Sequence, residues 1–303
     1  MNAFPEDSNL SEPHERFDNR APARENEDSS RNQEPPRPGP TEIALPPAAD
    51  ADRLLAAAVP PDPVWNALDV VRLAILTLVA LFVGIFAVLL IARFLVYPHS
   101  SIGLVARIPL VVVAGQGLAY LLVLSYMYIL VTRERHRPDF LAAIHWNWPS
   151  SPAVYIAGGV VLSIVLQILA SRLPIPKNLP IDTFFRTPAE AWVLGIFSVT
   201  LAPLMEELFF RGFLYPVLAR GMGMTPAIFI TAFAFALTHG QQLTYSWGPV
   251  LVIFLVGVVL TMVRAYKNSV AAGVVVHMAY NGTITVLMFV ATDGFRHLDK
   301  LNQ

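Results

Sequence analysis

The sequence predicts an all-α protein: a polytopic bundle of about seven transmembrane helices behind a disordered N-terminal tail. Three observations predict it. The hydrophobic fraction is 55% and the charged fraction 14%, against roughly 45–50% and about 25% in soluble globular chains. Uncharged runs of about twenty residues recur, the length needed to cross a ~30 Å hydrocarbon core. Charge is also segregated along the chain. Residues 1–52 hold twelve acids and five arginines, and the rest holds ten acids and sixteen lysines or arginines, so the overall −1 is a cancellation of −7 and +6.

Residues 1–63 carry twelve of the twenty-five prolines and no apolar periodicity. Stretches such as Gln33 to Pro40 cannot bury enough apolar surface to offset the entropy of ordering. This segment reads as a disordered, acidic, proline-rich tether. It lacks the basic start and apolar stretch of a signal peptide.

Residues 64–150 hold the first two spans. Leu73 to Ala92 contains no charge, and neither does Ile108 to Thr132, where Gln116 is the most polar side chain. Residues 151–290 form the remaining core, and residues 291–303 a short polar C-terminal tail. Ala153 to Ala170 is a third uncharged run. Ala191 to Ala219 is apolar apart from Glu206, Glu207 and Arg211, and ends where Gly221, Gly223 and Pro226 break the helix. Ala227 to Thr238 ends at His239, and Gly240 to Trp247 reads as a polar loop. Pro249 to Val263 follows, then a short turn through Arg264, Tyr266, Lys267 and Asn268. Ser269 to Thr292 is interrupted at His277 and Asn281. That makes seven spans, or eight if a longer loop re-enters the membrane. Basic residues divide seven against seven between the two sides, and the dense Arg133/Arg135/Arg137 cluster favours a cytoplasmic N-terminus.

No cysteine is present, so disulfides and thiolate zinc sites are excluded. Any metal would need histidine and carboxylate ligands.

Ionisable groups inside membrane segments are costly and are functional-site hypotheses by default. Here they gather in the second half of the chain. Glu207 and Arg211, four apart, share a helix face and can pair, which lowers the burden of burying either charge. Glu206 points about 100° away around the helix and needs another partner. Counted from the Met222/Gly223 turn, Glu206 and His239 both lie roughly 25 Å away, level across an antiparallel helix pair. His277 and Asn281 are also four apart on one face. A carboxylate and an imidazole on one water can deprotonate it, and an imidazole N–H with an amide could stabilise an oxyanion.

These residues lie in a pattern that resembles the CAAX protease and bacteriocin-processing family of intramembrane glutamate proteases, also called the Abi family. Glu206-Glu207-Leu-Phe-Phe-Arg211 resembles its EExxxR motif, Phe235-Ala-Leu-Thr-His239 its FxxxH motif, and His277-Met-Ala-Tyr-Asn281 its HxxxN motif. The resemblance covers roughly Ser151 to Val290. It implies that Glu206 and His239 activate water and that His277 and Asn281 form an oxyanion hole, with Glu207, Arg211 and Phe235 in support. It further implies a metal-independent endopeptidase with no cofactor, acting on membrane-associated protein or peptide substrates. The expected setting is a lipid bilayer, the cytoplasmic membrane of a bacterium, with no nucleic-acid partner. Three other readings stay open: a zinc hydrolase using Glu206, His239 and His277; a non-catalytic scaffold or bacteriocin immunity factor; and a transporter, although no repeat symmetry is visible.

Overall fold

The structure, a computed structural model, describes residues 62–174, 176 and 184–299. The tail expected over residues 1–63 therefore lies outside the described residues, save its last two. Among the described residues the chain is helical and contains no strand.

Six helical segments are long and apolar enough to cross a membrane: Ala67–Val96, Pro109–Glu134, Pro152–Ala170, Pro188–Met222, Trp247–Lys267 and Val270–Ala291. A shorter apolar helix, Met224–His239, completes the seven counted in the sequence. The protein is a polytopic transmembrane helix bundle. Its outer faces carry large apolar side chains that water would not tolerate in such number, among them Leu78 and Phe82 at 70% and 72% exposure.

Capping residues open these helices. Helix α1 (Ala67–Ile91) starts at Asn66, whose side chain and that of Asp69 form a reciprocal capping box. Helices α2 (Pro109–Ile129) and α3 (Pro152–Ala170) each begin with proline at the first position, where its missing N–H is no loss. Helix α4 (Pro188–Val199) adds a Thr187/Glu190 capping box.

The fourth span is broken at the residues that matter most. After Thr200 the chain runs through helix α5 (Leu201–Glu207), a π-helical stretch over Leu208–Leu214, and helix α6 (Tyr215–Met222). Local π-turns of this kind gather at functional sites. Side chains from elsewhere bond to carbonyls in this stretch: Arg264 Nε donates to Arg211 O at 3.1 Å, and Trp65 Nε1 to Phe213 O at 3.1 Å. Gly223, at φ +85°, then turns the chain into helix α7 (Met224–His239), whose sixteen residues end at His239.

Helix α8 (Trp247–Lys267) continues through Arg264, where the sequence suggested a turn. Arg264 stays helical because its guanidinium is buried between the Arg211 carbonyl and Asn268 Oδ1. The turn is confined to Asn268, in the left-handed region, and Ser269, which caps helix α9 (Val270–Ala291). Asn147 Nδ2 donates to Asn268 O at 2.7 Å and Val270 N to His145 O at 3.0 Å, so the segment before α3 clips onto this turn.

Helix α1 packs on α2, α7 on α8, and α9 on α3. Lipid tails are as apolar as leucine, so such contacts depend on close approach of small residues. A Cβ on Gly84 would lie 2.6 Å from Gly115 O, and one on Gly115 would lie 2.6 Å from Ile85 Cα. At the C-terminal end, Phe295 is fully buried and meets Trp192 edge-on at 5.3 Å.

Candidate active site

Three segments of the bundle bring the sequence-predicted residues together. Helix α5 supplies Glu206 and Glu207, α7 supplies Phe235 and His239, and α9 supplies His277 and Asn281. Glu206, Phe235, His239, His277 and Asn281 line one cavity of about 380 Å³. Glu207 and Arg211 lie behind it, with no side-chain exposure.

Glu206 faces both imidazoles. Its Oε1 stands 3.8 Å from His239 Nε2 and its Oε2 3.7 Å from His277 Nε2. These separations exceed a direct hydrogen bond. Glu206 and His239 each retain 22% side-chain exposure, towards the cavity.

Each ring is held from behind. His239 Nδ1 lies 2.9 Å from the carbonyl of Phe235, one turn back, and His277 Nδ1 lies 3.0 Å from Glu207 Oε1. With acceptors at both Nδ1 atoms, that nitrogen carries the proton and Nε2 turns inward. The same Glu207 Oε1 accepts from Arg211 Nη1 at 2.7 Å. Arg211 in turn donates Nε to Thr261 Oγ1 and Nη2 to Gly257 O. Its guanidinium carbon lies 4.6 Å from the Phe235 ring centroid, a distance suited to cation–π attraction. Phe235 also packs against His239 and His277 at 4.8 and 5.8 Å between ring centroids. Asn281 commits one amide hydrogen to Ser198 O at 2.7 Å.

Among the described residues, no three His, Cys, Asp or Glu side chains are grouped in a way that could hold a metal ion.

Four contributions escaped the sequence reading. Gln116 and Tyr120 of α2 and Gln242 line the cavity, and Thr261 of α8 holds Arg211. Gln116 stood out as the most polar residue of its span, and its spacing from Tyr120, one turn on, was a usable signal. Thr261 gave none, since threonine is ordinary in a membrane helix.

The segment that carries this geometry has known relatives. Residues 188–283 match the Rce1-like family, type II CAAX prenyl endopeptidase. That is a family of membrane proteases, and the matched segment contains all three motifs, from Glu206 to Asn281. The Rce1-like match covers about a third of the chain and leaves α1 to α3 outside it. The chain is also similar to the UPF0177 protein YbdI of Lactococcus lactis subsp. lactis (strain IL1403), at 27% identity over 135 residues, 45% of this chain and 70% of that relative. No solved structure matches.

Proposed function

We propose that this protein is an intramembrane endopeptidase in which Glu206 and His239 activate water, and His277 and Asn281 hold the developing oxyanion. The observation that carries the proposal is the position of Glu206, with one carboxylate oxygen towards each imidazole, inside a cavity that opens between membrane helices.

The chemistry follows from the groups present. A water between Glu206 and His239 gives a proton to the carboxylate as its oxygen bonds to the scissile carbonyl carbon. The carbonyl π-electrons move onto oxygen, where Asn281 has its second amide hydrogen to donate. His277 donates through Nε2 only if its ring carries both protons, because Nδ1–H already serves Glu207. When the C–N bond breaks, the proton held by Glu206 passes to the leaving amine and restores the carboxylate.

The name of the matched family points to C-terminal CAAX-type sequences as the first substrates to try. A zinc hydrolase is the second reading, and it requires Glu206, His239 and His277 to draw closer together than they stand here. Both histidines engage Nδ1 with protein acceptors and turn Nε2 inward, as metal-binding histidines do. Comparative membrane proteomics of a deletion strain and a Glu206→Ala strain tests the proposal. The same proteins should accumulate in both. Accumulation in the deletion strain alone would mean that Glu206 is not required and that the polar cluster serves a scaffold.

A further inference from the structure

We infer that Gly273 is a positioning residue, whose missing side chain lets the Glu207 carboxylate stand where it orients His277; this rests on the peptidase reading above. Gly273, His277 and Asn281 follow at four-residue intervals and so share one face of α9. A Cβ on Gly273 would lie 2.7 Å from Glu207 Oε2, and its next two neighbours would be Cδ and Cγ of that same side chain. Four tight packing glycines of the bundle differ. Those at 84, 115, 159 and 257 meet backbone atoms first.

The carboxylate itself supplies the second observation. Glu207 Oε1 takes both hydrogen bonds, from Arg211 and His277, while Oε2 is buried without a hydrogen-bond partner. Oε2 itself makes no hydrogen bond and sits in the hollow above Gly273. A methyl group there would displace the far end of one side chain rather than any backbone. No backbone would have to move, but the carboxylate would rotate or withdraw with Arg211 following it, and His277 would lose its bond at Nδ1. Alanine is also the better helix former, which further separates the effect on the site from any effect on folding.

The test uses the full chain in detergent micelles, labelled with ¹⁵N-histidine, with the His277 signals assigned by comparison with His277→Ala. Gly273→Ala should move the His277 ring resonances, leave those of His239 in place, and melt close to wild type. Gly282→Ala, on the same helix but with its nearest neighbour 3.7 Å from the added carbon, should move neither. With a farnesylated CAAX peptide as probe, Gly273→Ala should lower kcat by about 10²-fold at nearly constant KM, the scale expected for a displacement near 1 Å. An unchanged His277 signal in folded Gly273→Ala would overturn the inference. If Gly273→Ala does not fold, its yield is compared in a Glu207→Ala background, where the new methyl has nothing to strike. There the two glycine-site variants should be equal, and a further loss would overturn the inference. Failure of wild type to cleave any peptide would count against the peptidase reading and leave the resonance test standing.

Discussion

Glu207 and Arg211 meet at 2.7 Å with both side chains wholly excluded from solvent. The pair braces the π-helical stretch and ties it to α8 through Thr261 and Gly257. Removing either partner leaves an uncompensated buried charge, at a cost of about 3–5 kcal/mol. Glu207→Ala and Arg211→Ala should each lower folded yield in detergent. The double variant should suffer less than the sum of the singles, the mark of a coupled pair. Additive losses, read from thermal melts, would mean that the two do not interact.

On the proposed mechanism Asn281 has two tasks, which predict an intermediate phenotype. Its amide holds the Ser198 carbonyl and faces the cavity. Asn281→Ala should reduce turnover by about 10²–10³-fold, the usual effect of losing one oxyanion donor, and leave measurable activity. Stability should fall by about 1 kcal/mol for the lost hydrogen bond. Complete inactivity in a well-folded variant would assign Asn281 a larger part than one donor.

Trp65 anchors the segment before α1 to the rest of the bundle. Its ring is buried, stacks on Phe213 at 4.6 Å, and donates to the Phe213 carbonyl. Arg220 secures the same segment through the carbonyls of Pro63 and Trp65. Truncation of residues 1–60 should leave a detergent-stable core, as their composition suggests. Trp65→Ala should cost about 3–5 kcal/mol. Equal thermal stability of Trp65→Ala and wild type would contradict this placement.

Membrane insertion is tested most simply by extraction. Six long apolar helices and a seventh shorter one should keep the protein in the pellet after high salt and alkali. Recovery in the soluble fraction without detergent would contradict the fold assignment.

Much of this architecture was legible in the sequence because lipid imposes a simple length rule on helices. The seven apolar runs correspond to the observed helices, and the Met222/Gly223 turn is where glycine placed it. Matching Glu206 and His239 by depth worked because both were counted from one shared turn. The π-helical stretch was not legible, since no composition rule distinguishes Leu208–Leu214 from continuous α-helix. Arg264 was misplaced for a related reason. A basic residue near a span's end usually snorkels to the interface, whereas this one turns inward to a carbonyl of that stretch. The one-turn spacing of Gln116 and Tyr120 marked a shared face, but that this face lines the cavity depends on how α2 packs.

The central claim is that Glu206 is the base. It is tested most directly by the turnover of purified Glu206→Gln against wild type, on a substrate that accumulates in the deletion strain, with and without a chelator. The glutamine nearly preserves shape and hydrogen bonding but cannot accept the proton of water. Turnover should fall below detection while the melting temperature stays near wild type, and the chelator should leave wild-type turnover unchanged. Glu206→Gln turning over within a few-fold of wild type, or wild-type activity lost to the chelator together with one bound zinc per chain, would contradict the account.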